Sequence, residues 1–353
     1  MFKKVLAIIA LAGTTYANAQ DSTSTPLTIS GSVDAYYKYD FSKMPQIPTS
    51  FASDQNSVSL GMVDVALKKT TGKASFVGEV SFGPRGQAQS IPNAEGEYSE
   101  VSANSFHIQN LYATYAFTNK FSMTAGYMGT FVGYEVISPV GNFSYSTSYL
   151  FTNGPFQNAG IKANYAISSK IGLMAGLFNN TWNSYKADPV AGVNTFGAQL
   201  SLTPVEGLSA YVNLLTGHDS GTIIDLTAAY QVTDKFKLGL NVADWSAPGD
   251  VDDTGYTGFA LYPSYAITPG FSLGARAEYF QTKKMGGVGY GPAADENVTA
   301  LTFSGNLKAG GLTFIPEFRV DNASYNAFMK KTTSVAADTK SASQFSLAVV
   351  YAF

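Results

Sequence analysis

The pattern of hydrophobic and polar positions is clearest in the last ten residues of the chain, 344–353. Large apolar side chains occupy every second position there, and small or polar residues or a valine lie between them. Because successive side chains of a strand point to opposite faces, this spacing predicts a strand with one large apolar face. Such a strand, ending on an aromatic residue at the C-terminus, is typical of a transmembrane barrel. The large apolar positions are Phe345, Leu347, Val349, Tyr351 and Phe353.

The same period of two recurs in one segment after another upstream, for example over residues 121–127 and 271–279. Helical spacing does not occur at comparable length, and turn-forming residues separate the segments. We count about sixteen segments, an even number within the range that bacterial barrels use. An even number of strands places both ends of the chain on one side of the barrel.

Irregular positions interrupt this pattern. Segment 57–69 changes phase between Met62 and Val63, which predicts a β-bulge. Pro263 and Pro316 fall inside predicted strands, where proline normally marks an edge or a bulge.

The connections between the segments alternate in length. Short turns such as 70–72, 118–120 and 233–235 contain Gly, Asn or Thr, whereas most of the connections between them are longer and variable. Short periplasmic turns opposite long external loops are the arrangement of outer-membrane barrels. The sequence therefore predicts an all-β fold, a transmembrane antiparallel up-and-down barrel. The predicted long loops are residues 40–56, 83–105, 131–157, 180–192, 282–297 and 321–343.

Charged residues occupy the positions that alternate with the apolar ones, so we expect them inside the barrel. A Lys or Arg facing lipid near the midplane would cost about 2–4 kcal/mol, which explains the segregation. An interior around sixteen strands is too wide for side chains alone to fill, and this favours a water-filled lumen. The alternative is that these charges pair with and plug one another. The predicted inward positions include Asp34, Lys38, Asp64, Glu79, Lys162, Asp225, Lys237, Arg276, Glu278, Lys308, Glu317 and Arg319.

The third long loop, residues 131–157, is unusually aromatic for a loop that faces water. Its rings need a surface to pack against, and folding into the barrel would provide one. We therefore predict that it narrows the lumen, with Glu135 as its only acidic or basic side chain. The alternative is packing outside against a neighbouring subunit. The candidate constriction residues are Tyr134, Glu135, Phe143, Tyr145, Tyr149 and Phe151.

Aromatic residues also fall near the predicted strand ends. Trp182 and Trp245 lie at external ends, and Phe117, Phe121 and Tyr165 lie near short turns. This distribution is typical of the two aromatic girdles that flank a membrane.

The first twenty residues match a cleavable secretory signal. They contain Lys3 and Lys4, a short apolar run and an Ala-x-Ala site before Gln20. We therefore divide the chain into a signal peptide, 1–20, and an outer-membrane barrel, 21–353.

The formal charge of −3 becomes −5 without the two signal lysines, and no Lys/Arg cluster is present to bind nucleic acid. The absence of cysteine excludes a disulfide framework and a lipid anchor on an N-terminal Cys.

The third loop also carries a family resemblance. Gly133-Tyr134-Glu135, residues 144–156 and Gly160-Ile161-Lys162 resemble the central signature of the OmpL-like β-barrel porins of the Bacteroidetes. The resemblance implies a porin and does not identify a solute. The chain departs from the pattern by carrying Thr147 where the family is expected to have Arg, and Asn158-Ala159 where it is expected to have His-Thr.

Residues suited to catalysis or metal binding are sparse. The chain has two histidines, His107 and His218, and Gly217–Gly221 places His, Asp and Ser side by side on a tight turn. Adjacent residues on a hairpin cannot form a nucleophile, base and orienting group, so we expect no enzymatic activity. Without Cys or a spaced His pair we expect no metal site, and no cofactor is predicted. Acidic loop residues, including Glu95, Glu97, Glu100 and residues 250–253, are interpreted as solvated.

The sequence therefore predicts a porin of the bacterial outer membrane, a passive diffusion channel for small hydrophilic solutes through a polar lumen. Its expected partners are outer-membrane lipids, small hydrophilic solutes or ions and, by analogy with other sixteen-stranded porins, two further copies in a homo-trimer. No nucleic acid is expected. The alternatives are a non-conducting structural or accessory barrel of a larger envelope complex and, third, an outer-membrane lipid hydrolase.

Overall fold

The chain forms a barrel whose wall is made entirely of antiparallel strands. A computed structural model describes residues 24–47, 49–83, 106–249 and 251–353, with the side chain of Phe106 excluded. The predicted signal peptide and most of the predicted loop 83–105 lie outside these residues. The strands are β1 (Thr28–Asp40), β2 (Ser57–Thr71), β3 (Ala74–Phe82), β4 (Phe106–Ala116), β5 (Phe121–Gly129), β6 (Gln157–Ala166), β7 (Ile171–Phe178), β8 (Thr195–Leu202), β9 (Leu208–Gly217), β10 (Gly221–Gln231), β11 (Phe236–Ser246), β12 (Gly255–Thr268), β13 (Phe271–Thr282), β14 (Asn297–Ala309), β15 (Leu312–Ala323) and β16 (Ser341–Ala352).

Each strand pairs with its neighbours in sequence, and the last strand pairs with the first. The closing ladder between β1 and β16 runs from Ser32 opposite Ala352 to Asp40 opposite Gln344. The closed barrel of sixteen strands therefore confirms the predicted fold class, including the role of the C-terminal strand. Closure also removes free strand edges, so every strand can satisfy its backbone groups within the sheet.

Alternation along the strands separates an apolar outer face from a more polar inner face. In β7, Leu173 and Leu177 are 45% and 51% exposed, whereas the alternate Met174 and Phe178 are buried. The exposed set of large apolar residues extends around the barrel on nearly every strand. This outer face is suited to lipid.

The predicted bulge lies between β1 and β2. Val33 is opposite Val63 and Ala35 is opposite Leu60, so Gly61 and Met62 together face one residue, Asp34. The Met62 amide donates to Asp34 Oδ1 at 2.9 Å, which satisfies an amide that the bulge removes from the ladder. The change of phase in the sequence at Met62 therefore predicted the bulge correctly.

Both strand prolines lie within continuous strands. The ladder between β12 and β13 skips from Leu261 to Ser264 around Pro263 and keeps its register. The ladder between β14 and β15 skips in the same way around Pro316, between the partners Glu317 and Phe314. Each proline removes one donor on one side of its strand, and the other neighbouring strand pairs across it, through Leu238 and Leu347 respectively.

Most of the connections sort to the two ends of the barrel by length. Seven turns of two to five residues lie at the end that also holds Thr28 and Ala352; the opposite end holds the longer loops and one three-residue turn, 218–220. We call these the short-turn end and the long-loop end. Within the loop between β5 and β6 the chain forms a 3₁₀ turn, Pro139–Gly141, and one helical turn, α1 (Tyr149–Asn153). No helix among the described residues is long and apolar enough to cross a membrane.

Candidate functional site

The loop between β5 and β6, residues 130–156, folds into the interior of the barrel. We call it the inner loop. Tyr145 and Tyr149 are 1% and 2% exposed, and residues 144–152 are buried throughout. It contacts inward residues of β7, β8, β10–β16 and β1, so it covers most of the inner wall.

Aromatic packing fixes the inner loop against the wall. Tyr134 stacks on Tyr262 of β12 with ring centroids 4.3 Å apart, and Tyr149 lies 5.6 Å from Phe280 of β13. Tyr145 lies 5.4 Å from Tyr36 of β1. Burial, helped by the neighbouring Glu135 charge, raises the pKa of Tyr134 to about 12, so this ring is neutral at physiological pH.

Two glycines of the wall leave room for the rings of Tyr134 and Phe143. A Cβ at Gly239 would lie 2.3 Å from Tyr134 Oη, and one at Gly274 would lie 2.4 Å from the Phe143 ring. Any larger residue at either position would therefore displace the loop.

Wall carboxylates accept hydrogen bonds from the backbone amides of the inner loop. Glu317 Oε2 accepts from Tyr145 N at 2.8 Å, and Asp225 Oδ1 accepts from Gly133 N at 3.1 Å. Glu278 accepts from the amides of residues 149 and 150, at 3.0 and 2.9 Å. These amides open α1, where a helix has no internal acceptors for its N–H groups. The carboxylates therefore satisfy a buried loop backbone that would otherwise lack partners.

Two fully buried arginines, on the same strands as Glu278 and Glu317, donate hydrogen bonds to the loop. Arg276 Nη1 donates to Glu135 Oε1 at 2.7 Å and to the Ser146 carbonyl at 2.6 Å. Arg319 forms an ion pair with Asp321 at 2.7 Å and donates to the Thr147 carbonyl at 2.8 Å. Acceptors from the wall and donors from the wall thus bind the same stretch of loop, 144–150.

The predicted pore-lining residues all project inward, but the structure divides them. Lys162, Lys237 and Lys308 remain exposed to solvent, whereas the other nine are buried. For those nine the prediction of a pore-lining position was wrong, because they contact the inner loop or neighbouring protein groups rather than open water. They are Asp34, Lys38, Asp64, Glu79, Asp225, Arg276, Glu278, Glu317 and Arg319.

The predicted constriction residues are all found in the inner loop, and each contacts the barrel or another loop. Phe151 packs 6.0 Å from Phe51, which belongs to the loop between β1 and β2. Ser50 Oγ of that loop also lies 2.9 Å from Thr152 Oγ1. Sequence reasoning missed this second covering loop, although its apolar residues, which include Ile47 and Phe51, could have indicated it.

An apolar cluster in the long-loop half of the interior was also missed. Its wall members include Met128, Met174, Phe178, Leu215 and Ile223, which pack with the inner-loop residues 131, 132, 149 and 150. Strand β7 carried the signal, because large apolar residues occupy both of its faces toward its long-loop end. The interior is therefore less polar at this end than predicted.

The two tryptophans belong to this inner packing and not to an outer girdle. Trp245 lies on the same face of β11 as the buried Asn241 and Ala243, and its Nε1 donates to the Ser220 carbonyl at 3.2 Å. Trp182 lies 5.5 Å from it. The girdle prediction was wrong for both, because Trp245 is three residues from the outward Val242 and so has inward parity.

The histidines contribute no assembled catalytic group among the described residues. His218 is 85% exposed and lies 3.8 Å from Asp219, whereas Ser220 Oγ lies 3.0 Å from Thr195 Oγ1. Within the described part of the chain, no group of three His, Cys, Asp or Glu side chains could hold a metal ion.

Comparison with known proteins gives a family and a set of similar folds. The family model described as Putative beta-barrel porin-2, OmpL-like matches residues 26–353. No curated protein matches the sequence. A loop-deletion mutant of OmpT, an outer membrane protein of Vibrio cholerae, has a TM-score of 0.57 at 11% identity and covers 94% of this chain and 99% of its own.

Two further solved structures give the same result. The trimer form of in-vitro folded Vibrio cholerae OmpT has a TM-score of 0.55 at 11% identity, over 94% of this chain and 100% of its own. A triple mutant of Rhodopseudomonas blastica porin has a TM-score of 0.53 at 12% identity, over 93% and 100% respectively. At these identities the likeness shows the fold.

Proposed function

Because the chain belongs to the OmpL-like β-barrel porin family of the bacterial outer membrane, we propose that it is a passive diffusion channel for small hydrophilic solutes. The observation that carries the proposal is the short-turn half of the interior, which faces the periplasm in an outer-membrane barrel. Inward polar side chains there remain partly exposed on strand after strand. We call this region the vestibule; its uncharged polar lining includes Thr114, Asn164, Ser201, Tyr211, Ser264, Ser272, Asn306 and Thr313.

The inner loop supplies the size limit of the proposed channel. It lies above the vestibule, and its buried hydrogen bonds to Asp225, Glu278 and Glu317 hold it in one position. In the proposed channel, the aperture lies beside the loop, along the part of the wall that the loop does not contact. Solutes that fit the aperture then move down their gradients without chemical change.

A second candidate is a non-conducting structural barrel, and one observation favours it. The apolar cluster around Phe178 and Leu215 fills part of the long-loop half, and an apolar constriction can exclude water. In that case the vestibule would be a closed chamber. The two candidates differ in one measurable property, the conductance of the intact protein.

Single-channel recording in a planar bilayer tests the proposal. We compare the intact protein with a variant that lacks residues 136–153, the central part of the inner loop. The matched control lacks residues 332–336 of the last external loop, where Val335 is fully exposed. We expect steady conductance from the intact protein and the control, and a larger conductance after the inner-loop deletion. Silence from all three, with folding verified by heat-modifiable gel mobility, would favour the structural barrel.

We also propose that the protein functions without catalysis and as a homo-trimer. The first proposal is supported by the exposed His218 and by the pairing of Ser220 with Thr195. The second is supported by the trimer form of the OmpT structure. A lipid-release assay whose result is unchanged by Ser220→Ala and His218→Ala supports the absence of catalysis. Light scattering of the detergent-solubilised protein measures the number of chains in the oligomer.

A further inference from the structure

The charged side chains that the strands direct into the barrel and that remain exposed to solvent are all lysines. Lys68 of β2, Lys162 of β6, Lys237 of β11 and Lys308 of β14 have inward parity and remain accessible to solvent. Every aspartate and glutamate that the sixteen strands direct inward is buried. All of the inward acids are therefore shielded from water, whereas four of the inward bases are not.

Protein donors occupy the inward acids on both sides of the barrel. On the side away from the inner loop, the hydroxyl of Ser32 donates to Asp64, and Asn110 Nδ2 donates to Glu79 Oε2 at 2.6 Å. Beneath the inner loop, loop amides and two arginines bind the carboxylates, as described above. The buried bases Lys38, Arg276 and Arg319 lie among the acids and offset part of their charge.

The lysines lie toward the short-turn end of the barrel. Lys237 and Lys308 are each one residue from the end of their strand, Lys68 is three residues from it, and Lys162 is four. The vestibule that these strands enclose contains the uncharged polar residues named above. A solute in the vestibule therefore meets ammonium groups directly and meets carboxylates only behind other protein groups.

The rim around the vestibule has the same sign. The short turns carry four exposed lysines, at 73, 120, 170 and 235, against the exposed acids Glu206 and Asp234. Charge at the mouth of a channel concentrates ions of the opposite sign before they enter. The rim and the vestibule thus act in the same direction.

We propose that this channel prefers anions, with small carboxylates, phosphates and halides as the class of solute that it passes most readily. The inference rests on the proposed function, because selectivity requires conductance. A unit charge roughly 8 Å from an ion through water changes the local concentration of that ion about twofold at low salt. Together the four lysines then give a clear preference for chloride over potassium.

The reversal potential in a tenfold gradient of dilute KCl, about 0.01 against 0.1 M, measures this preference. We compare the intact protein with the double variants Lys162→Gln/Lys237→Gln and Lys162→Glu/Lys237→Glu. Lys331→Glu, on an exposed external loop, is the matched control for the same change of charge outside the lumen. We expect a chloride preference that falls by about twofold for each Gln and about fourfold for each Glu, and that stays unchanged in the control.

The outcomes separate this inference from the proposed function. A conducting protein that prefers potassium, or one whose preference is the same in all variants, overturns the anion preference and leaves the channel in place. An intact protein that does not conduct overturns both.

Discussion

The two halves of the barrel interior differ in what the strands enclose. In the long-loop half, aromatic rings, buried carboxylates and two arginines pack around the inner loop, and the carboxylates and arginines that contact it are hydrogen-bonded within the protein. In the short-turn half, Ser, Thr, Asn and Lys side chains remain partly exposed to solvent, and Asn306 also donates to the Phe143 carbonyl of the inner loop at 2.8 Å. The same alternating pattern produces both halves, so alternation alone decides which face is inward and does not decide what fills the interior.

The difference has a simple energetic reason. A buried carboxylate is tolerated only when donors surround it, and the inner loop offers backbone N–H groups at the positions of Glu278, Glu317 and Asp225. In the vestibule, the donors are lysines and uncharged polar side chains that water can solvate. Replacements in the first half should therefore affect stability, and replacements in the second should affect conduction.

The largest stability effect is expected from Arg276→Met. It leaves Glu135 buried without its cation and removes a donor from the Ser146 carbonyl, so we expect a loss of about 3–5 kcal/mol in the free energy of unfolding. Urea unfolding in detergent measures this loss. The control is Lys308→Met in the vestibule, which should change stability by less than about 0.5 kcal/mol.

Adding Glu135→Leu to Arg276→Met should recover part of the loss, because the unpaired charge is then removed as well. Equal losses from Arg276→Met and Lys308→Met would show that the two halves do not differ in the way described.

A smaller effect is expected from Gly274→Leu, which forces the Phe143 ring out of its place. Overpacking of this kind costs about 1–3 kcal/mol, and it should also raise the exposure of the inner loop. The native chain has no cysteine, so maleimide labelling of a Ser144→Cys background reports loop exposure directly. Gly78→Ala is the control, because its nearest neighbour would lie 4.0 Å away. Unchanged labelling in the Gly274 variant would mean that this glycine does not position the loop.

A still smaller loss in the free energy of unfolding is expected from Glu317→Gln. The amide keeps one acceptor oxygen for Tyr145 N or Ser146 N and loses the charge, so we expect a loss of about 1–2 kcal/mol. Glu206→Gln on an exposed turn makes the same chemical change and should have no measurable effect on unfolding. If the two replacements behave alike, Glu317 does not hold the loop.

The smallest effect is expected from Ser201→Ala in the vestibule. Its side chain is partly exposed to water, so stability should remain within about 0.5 kcal/mol of the unmodified protein. A loss above about 1 kcal/mol would indicate that the vestibule is packed and not open.

The fold was accessible from the sequence because a barrel is encoded by local rules. A period of two, short turns and an aromatic C-terminal strand are each visible within about ten residues, and the bulge at Met62 followed from the same rule. The inner loop was predictable too, since rings such as Tyr145 and Phe151 could not remain in water.

The sequence could not predict what fills the interior of the barrel, because this depends on contacts between residues far apart in sequence. Glu317 and Tyr145 are 172 residues apart, and no local pattern pairs them. The charges of the wall therefore looked alike in the sequence, and only the tertiary contacts divide them into nine buried residues and the exposed Lys162, Lys237 and Lys308. Trp245 could have been placed correctly by counting parity from Val242.

The comparison of the two halves is tested most directly by the reactivity of cysteines introduced on neighbouring strands. Ser272 of β13 lies in the vestibule, whereas Ser304 of β14 lies under the inner loop and 3.0 Å from the Ser144 hydroxyl. With a small aqueous thiol reagent, we predict that Ser272→Cys reacts at least about 100-fold faster than Ser304→Cys, because modification at Ser304 requires the loop to open. Equal rates at the two positions would contradict the account.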